Sequence, residues 1–139
     1  MSPETRKHAG ILIIIIPTVI YGGVSILNFL INDPAYMQNP LRQNLFRAGH
    51  AHAGVLLILS LVSYLYVDEA NLSLSWKRIV KTSIPSAAIF LPAAFFFSVL
   101  KPDATEPNGL INLAYVGVAL LVTGLLVLGV GLIRKKKVP

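Results

Sequence analysis

The chain contains no cysteine. Disulfide staples, thiolate metal centres and cysteine-ligated iron–sulfur clusters are therefore excluded. Charge is scarce as well. Asp, Glu, Lys and Arg make up 13% of the residues, against about 25% in a soluble domain. No catalytic triad, phosphate-binding loop or carboxylate pair is visible at membrane depth, so catalysis of the soluble type is not expected. Internal repeats and low-complexity segments are also absent.

Apolar sequence is abundant: 55% of the residues are hydrophobic. They gather into four runs, residues 9–31, 47–67, 79–100 and 109–133. Each is about 20 residues or longer, enough for a helix to cross a hydrocarbon core of ~30 Å. The expected fold is all-α, an integral membrane four-helix bundle forming a single transmembrane domain over residues 1–139. Arg6 and Lys7 precede the first run much as they would in a signal peptide. That run is too long for the apolar core of one, and "NFLINDPAY" offers no small-residue cleavage site. It is read as a retained helix.

Basic residues set the expected orientation. Arg6 and Lys7 lie before the first span, Lys77, Arg78 and Lys81 between the second and third, and Arg134, Lys135, Lys136 and Lys137 after the fourth. Nine of the twelve Lys and Arg thus fall on one side, leaving Arg42, Arg47 and Lys101 on the other. The positive-inside rule puts both termini in the cytoplasm, as in a multi-pass protein of the inner (plasma) membrane. The net charge of +6 needs no nucleic acid to explain it. A basic "RKKK" tail after a span anchors topology and touches anionic lipid.

Punctuation within the spans points to close helix packing. Pro17 falls inside the first span and Gly22 and Gly23 follow it, so a kink and a close approach of another helix are expected there. Pro85 and Pro92 interrupt the third. Gly117, Gly124 and Gly131 recur every seven residues in the fourth, a stripe suited to packing within the bundle or between subunits. In the outer loop, "PLRQNLF" reads as a short interfacial helix. Tyr64 and Tyr66 mark the inner interface, with Trp76 as a further anchor.

The most distinctive stretch is "FRAGHAHAGVLL". His50 and His52 stand two residues apart, hence about 200° apart on a helix, so one regular helix cannot chelate a single ion with both. Each faces its own neighbour. His8 lies ~30 Å away at the opposite end of a span and cannot join them. Ala48, Gly49, Ala51, Ala53 and Gly54 leave room on both faces for something flat or for another helix backbone.

"GHAHAG" resembles the His-x-His helix of heme-copper oxidase subunit I, and similar helices of smaller related bacterial membrane proteins, over about six residues. The chain as a whole looks like a family of small bacterial four-span membrane proteins in which "LFRAGHAHAG" is the most distinctive stretch. The first resemblance implies heme, with His50 and His52 as ligands. Arg42 and Arg47 are in the right zone to clamp propionates, and Met37, a tyrosine or a histidine of a second copy would supply the other axial ligand. Copper held by His50, His52 and Met37 is the alternative metal. The expected activity is that of a redox carrier or small-gas sensor.

Two other readings stay open. The imidazoles could hydrogen-bond across helices, with Asn28, Asn108 and Asn112 at the same depth as partners. They could instead line a polar cavity with Asn and Glu106, in a self-associating channel or transporter for protons or a small solute. The partners expected are the lipid bilayer and either further copies of the chain or a membrane complex to which it is an accessory subunit.

Overall fold

A computed structural model describes residues 1–134; Lys135, Lys136 and Lys137 of the basic tail lie outside the described residues. Five α-helices follow in order: α1 (Pro3–Asn32), α2 (Pro34–Met37), α3 (Pro40–Val67), α4 (Leu74–Ser98) and α5 (Leu113–Ile133). A single 3-10 turn, Gly109–Asn112, leads into α5. There is no strand among the described residues. Pro3–Asn32, Pro40–Val67, Leu74–Ser98 and Gly109–Ile133 are long and apolar enough to cross a membrane.

Three spans start earlier than hydropathy alone suggests, and in two of them a side-chain cap marks the start. Ser2 accepts from the Thr5 amide with Pro3 at the first position, so α1 begins six residues before residue 9. Asn39 accepts from the Arg42 amide at 3.1 Å with Pro40 behind it. The "PLRQNLF" stretch expected to lie along the interface is therefore the first two turns of α3. Ser73 stands before α4, which runs from Leu74 and stops at Ser98.

The spans pack in chain order, α1 on α3, α3 on α4 and α4 on α5. One core cluster joins Leu12 of α1 to Leu56, Leu57 and Tyr64 of α3 and Ala87, Ala88 and Leu91 of α4. The glycine stripe explains the close approach of α5 to α4. A Cβ on Gly117 would stand 2.7 Å from Leu91 Cγ. One on Gly124 would stand 2.5 Å from Ile84 Cγ1 and Ser83 Oγ, and one on Gly131 would overlap Leu72. The stripe is thus occupied within the chain and is not available to hold a second copy. By contrast α1 buries only Thr5 and Leu12, and Ile14 and Tyr21 are about three-quarters exposed on its outward face, which fits contact with lipid.

Proline creates a second link between helices. Pro85 has no N–H, so the Lys81 carbonyl one turn back loses its helical donor, which in a lipid environment is costly. The Tyr64 hydroxyl of α3 donates to that carbonyl at 2.7 Å. Tyr64 is therefore buried, 2% exposed, and not part of an interfacial belt; Tyr66 and Trp76 are the exposed aromatics near this end.

A polar latch closes the same end. Lys81, itself buried, pairs with Glu4 at 2.8 Å. Asp68, just past α3, accepts from the Ser2 amide and from the Thr5 hydroxyl at 3.1 Å. Burial works to raise the Asp68 pKa, but the Ser2 and Thr5 hydrogen bonds outweigh it and hold it below its ordinary value. The Asn71 amide donates to the Gly131 carbonyl at 2.8 Å. The start of α1, the α3–α4 link and the end of α5 thus meet at one end, as four antiparallel spans require. At the opposite end Asn39 Nδ2 donates to the Ala104 carbonyl at 2.9 Å.

The glycine contacts give a differential test. Gly124→Leu drives a side chain into Ile84 and Ser83 and is expected to cost about 1–3 kcal/mol. Gly129→Ala, where nothing stands within 4 Å, gains helix propensity of about 0.5–1 kcal/mol. Thermal unfolding in detergent should show the two variants moving in opposite directions.

Candidate functional site

The register of α3 decides where both imidazoles go. His50 and His52 are the eleventh and thirteenth residues of a helix starting at Pro40, about 15 and 18 Å along it. They therefore lie some three turns into α3. Their directions differ as their spacing requires. His50 turns to α1, where a Cβ on Gly23 would stand 2.9 Å from both Cε1 and Nε2. His52 turns to the α4 side, its ring 5.1 Å from that of Phe95 and tilted by 53°.

The small residues between them serve mainly to admit helices. Gly49 is buried, and a Cβ there would stand 2.9 Å from the Phe96 ring of α4; at Gly54 it would meet Val19 of α1. Beside His50 the α1–α3 surface forms a groove of about 500 Å³. Its walls, among them Ile16, Val24 and Ile58, are otherwise apolar, and Gly23 forms part of its floor.

His52 has a defined tautomer. Its Nδ1 lies 2.7 Å from the Ala48 carbonyl on the preceding turn. A carbonyl can only accept, so the neutral ring carries its proton on Nδ1 and leaves the Nε2 lone pair bare. The side chain is exposed at the outside of the bundle. This is the arrangement found in most metal-ligating histidines, in which one nitrogen donates to a carbonyl and the other is free to ligate.

The other expected site residues are scattered. Arg42 is 6% exposed; its Nε donates to the Val99 carbonyl at 3.1 Å and its Nη2 to Leu100 at 3.5 Å. Its guanidinium also lies 5.6 Å from the Tyr36 ring and 5.3 Å from that of Phe46. It thereby satisfies the carbonyls left open at the end of α4, where a cation also suits the helix dipole. Arg47 is exposed and bonds back to Gln43 and Asn44. The Met37 carbonyl accepts from Gln43 Nε2, which sets Met37 about 10 Å outward of His50, seven residues on along α3.

The asparagines are engaged elsewhere. Asn28 accepts from Asn32 at 2.8 Å, and Asn108 donates to Phe97 and caps the 3-10 turn through Leu110. Asn112 precedes α5 without a side-chain cap. Glu106 lines a depression in the outer loop with Lys101, Asp103 and Asn108, which shares no residue with the His50 groove. A polar cavity uniting the histidines with Glu106 is not assembled. Among the described residues no group of three His, Cys, Asp or Glu gathers for a metal.

Two features escaped sequence reasoning. The Tyr36 hydroxyl and Arg42 Nη1 are buried without partners near the end that holds Asn39 and Ala104, and His8 Nδ1 is likewise unpartnered beside Tyr64 at the opposite end. Burial pushes the Tyr36 phenol above its ordinary value, despite the nearby Arg47 and Arg42, so it stays neutral. Hydropathy treats these residues singly; only the pairing of buried Lys81 with exposed Glu4 and the Arg42 cap reveal that charged groups stitch the ends together.

The four apolar spans and their lipid-facing surfaces define the chain as a multi-pass helical membrane protein. No family model, no curated protein and no solved structure matches it.

The two outer arginines separate cleanly in effect. Arg42→Ala exposes the α4 carbonyls to an apolar environment without a donor and is expected to lower stability by about 1–3 kcal/mol. Arg47→Ala, on the surface, should change it by no more than about 0.5 kcal/mol. Chemical or thermal denaturation of both variants in one detergent makes the comparison.

Proposed function

We propose that the chain is a heme-binding membrane protein, a redox carrier or small-gas sensor, in which His52 would hold the heme iron through Nε2. The observation that carries this reading is the Nδ1 contact with the Ala48 carbonyl, which fixes the ring and presents a bare Nε2 at the bundle surface. Heme would supply the redox or gas-binding chemistry. The residues of this chain would orient the imidazole through Ala48 and flank it with Phe95. Exposed Arg47, about 7 Å nearer the outer end along α3, would meet propionate carboxylates.

His50 has a different part in this reading. Its ring edge rests on Gly23, so it fits α1 against α3 beside the apolar groove. A copper centre built from His50, His52 and Met37 of one chain has less support, because the three diverge in direction and height. Any second protein ligand to that iron would have to come from outside this chain, from another copy or from a partner membrane subunit. The excess of Lys and Arg at the end holding both termini supports a cytoplasmic location for that end and residence in the inner (plasma) membrane.

The test is spectroscopic. The detergent-purified protein should show a Soret band that His52→Ala abolishes and His50→Ala preserves. A colourless preparation without iron by elemental analysis would overturn the proposal, and so would a band that survives His52→Ala.

A further inference from the structure

At the inner end, away from the histidines, a second groove runs between the start of α4 and the end of α5. It encloses about 280 Å³ and is lined by Leu72, Trp76, Leu126, Val127, Val130 and Arg134. The lining is ordered by depth. Leu126, Val127 and Val130 line the α5 side, and Arg134 follows directly on the last turn of α5. From Leu126 to Arg134 is eight residues, about 12 Å of helix rise, close to the half-thickness of a ~30 Å hydrocarbon core. Leu72 lines the groove where the α3–α4 link meets α5, held there because the Asn71 amide donates to the Gly131 carbonyl and Gly131 has no Cβ to displace it.

The polar rim is cationic. Arg134 is exposed, and no described residue pairs with its guanidinium. Trp76, half-exposed near the start of α4, also lines the groove. An apolar slot about one leaflet deep, with an exposed guanidinium at one end and an indole in its wall, matches one class of ligand: a lipid with an acyl chain and an anionic phosphate headgroup. A zwitterionic lipid would fill the slot but add a cation beside Arg134. A free phosphate would use the rim and leave the slot empty.

We infer that this groove is a binding site for an anionic phospholipid, with the acyl chain along Leu126, Val127 and Val130 and the headgroup phosphate on Arg134 and the Trp76 indole. The site differs from general attraction to a charged membrane surface in that it holds one lipid at a fixed place. Occupancy would tie the α3–α4 link to the end of α5 from the outside, where the Asn71–Gly131 bond ties it from within.

Trp76 is the chain's only tryptophan, so its fluorescence reports on this groove alone. The experiment places the full chain in vesicles containing increasing fractions of brominated phosphatidylglycerol or, separately, brominated phosphatidylcholine. Selective binding predicts half-maximal quenching at a severalfold lower fraction of the anionic lipid, about fivefold for one added cationic contact. Arg134→Gln should bring the two curves together, while Val130→Phe, which fills the slot, should weaken quenching by both lipids. Inorganic phosphate at millimolar concentration should not displace the lipid. Equal quenching by both lipids in the unaltered chain would overturn the site. So would selectivity that persists in Arg134→Gln, because the remaining basic tail would then account for it, and so would displacement by free phosphate.

Discussion

Asn39 closes the loop between the first two spans and, in doing so, sets the register of everything at that end of the bundle. Its Oδ1 accepts from the Arg42 amide while its Nδ2 donates to the Ala104 carbonyl in the opposite loop. Because Pro40 can start a helix but cannot continue one from before it, α3 begins at that point and runs unbroken to Val67. From that start follow the depth of His50 and His52, the turn of one ring to α1 and the other to the α4 side, and the reach of Arg42 to the end of α4. Moving the start by one residue would turn every side chain by about 100° and undo all three.

A common constraint acts at the helix ends and at the Pro85 break: a carbonyl left bare where water is scarce is costly. Pro85 frees the Lys81 carbonyl, and Tyr64 supplies the missing donor. The carbonyls of Phe97, Ser98, Val99 and Leu100, at and just past the end of α4, receive donors from Asn108 and Arg42. These polar contacts are few but fix how the helices pair, whereas the apolar faces supply shape. The seven-residue glycine stripe of α5 is the clearest case of shape, because each glycine marks a place where α4 or its preceding link presses close.

Much of the architecture was legible in the sequence, because four long apolar runs leave few alternatives to four helices. The divergence of the histidines was legible too, since it follows from two residues of helical rotation. What was not legible depended on contacts between distant segments. The "PLRQNLF" stretch looked interfacial because its polar residues suggested a surface, yet its Asn-Pro start makes it the opening of α3. Arg42 looked like an anion clamp because only its position near the histidines could be read; its commitment to Val99 needs the fold. Tyr64 looked interfacial until the Lys81 carbonyl gave its hydroxyl a buried partner. Nothing in hydropathy could have signalled the latch of Glu4, Lys81, Thr5 and Asp68.

The central claim is that α3 holds His52 by its Nδ1 proton and offers a bare Nε2 outside the bundle. Nitrogen-15 NMR of the imidazoles measures this directly, in a chain carrying His8→Gln and His50→Gln so that His52 alone is observed. At a pH above the histidine range, the account predicts a protonated Nδ1 with a hydrogen-bonded shift and an unprotonated Nε2. A ring protonated on Nε2 with Nδ1 bare would contradict it.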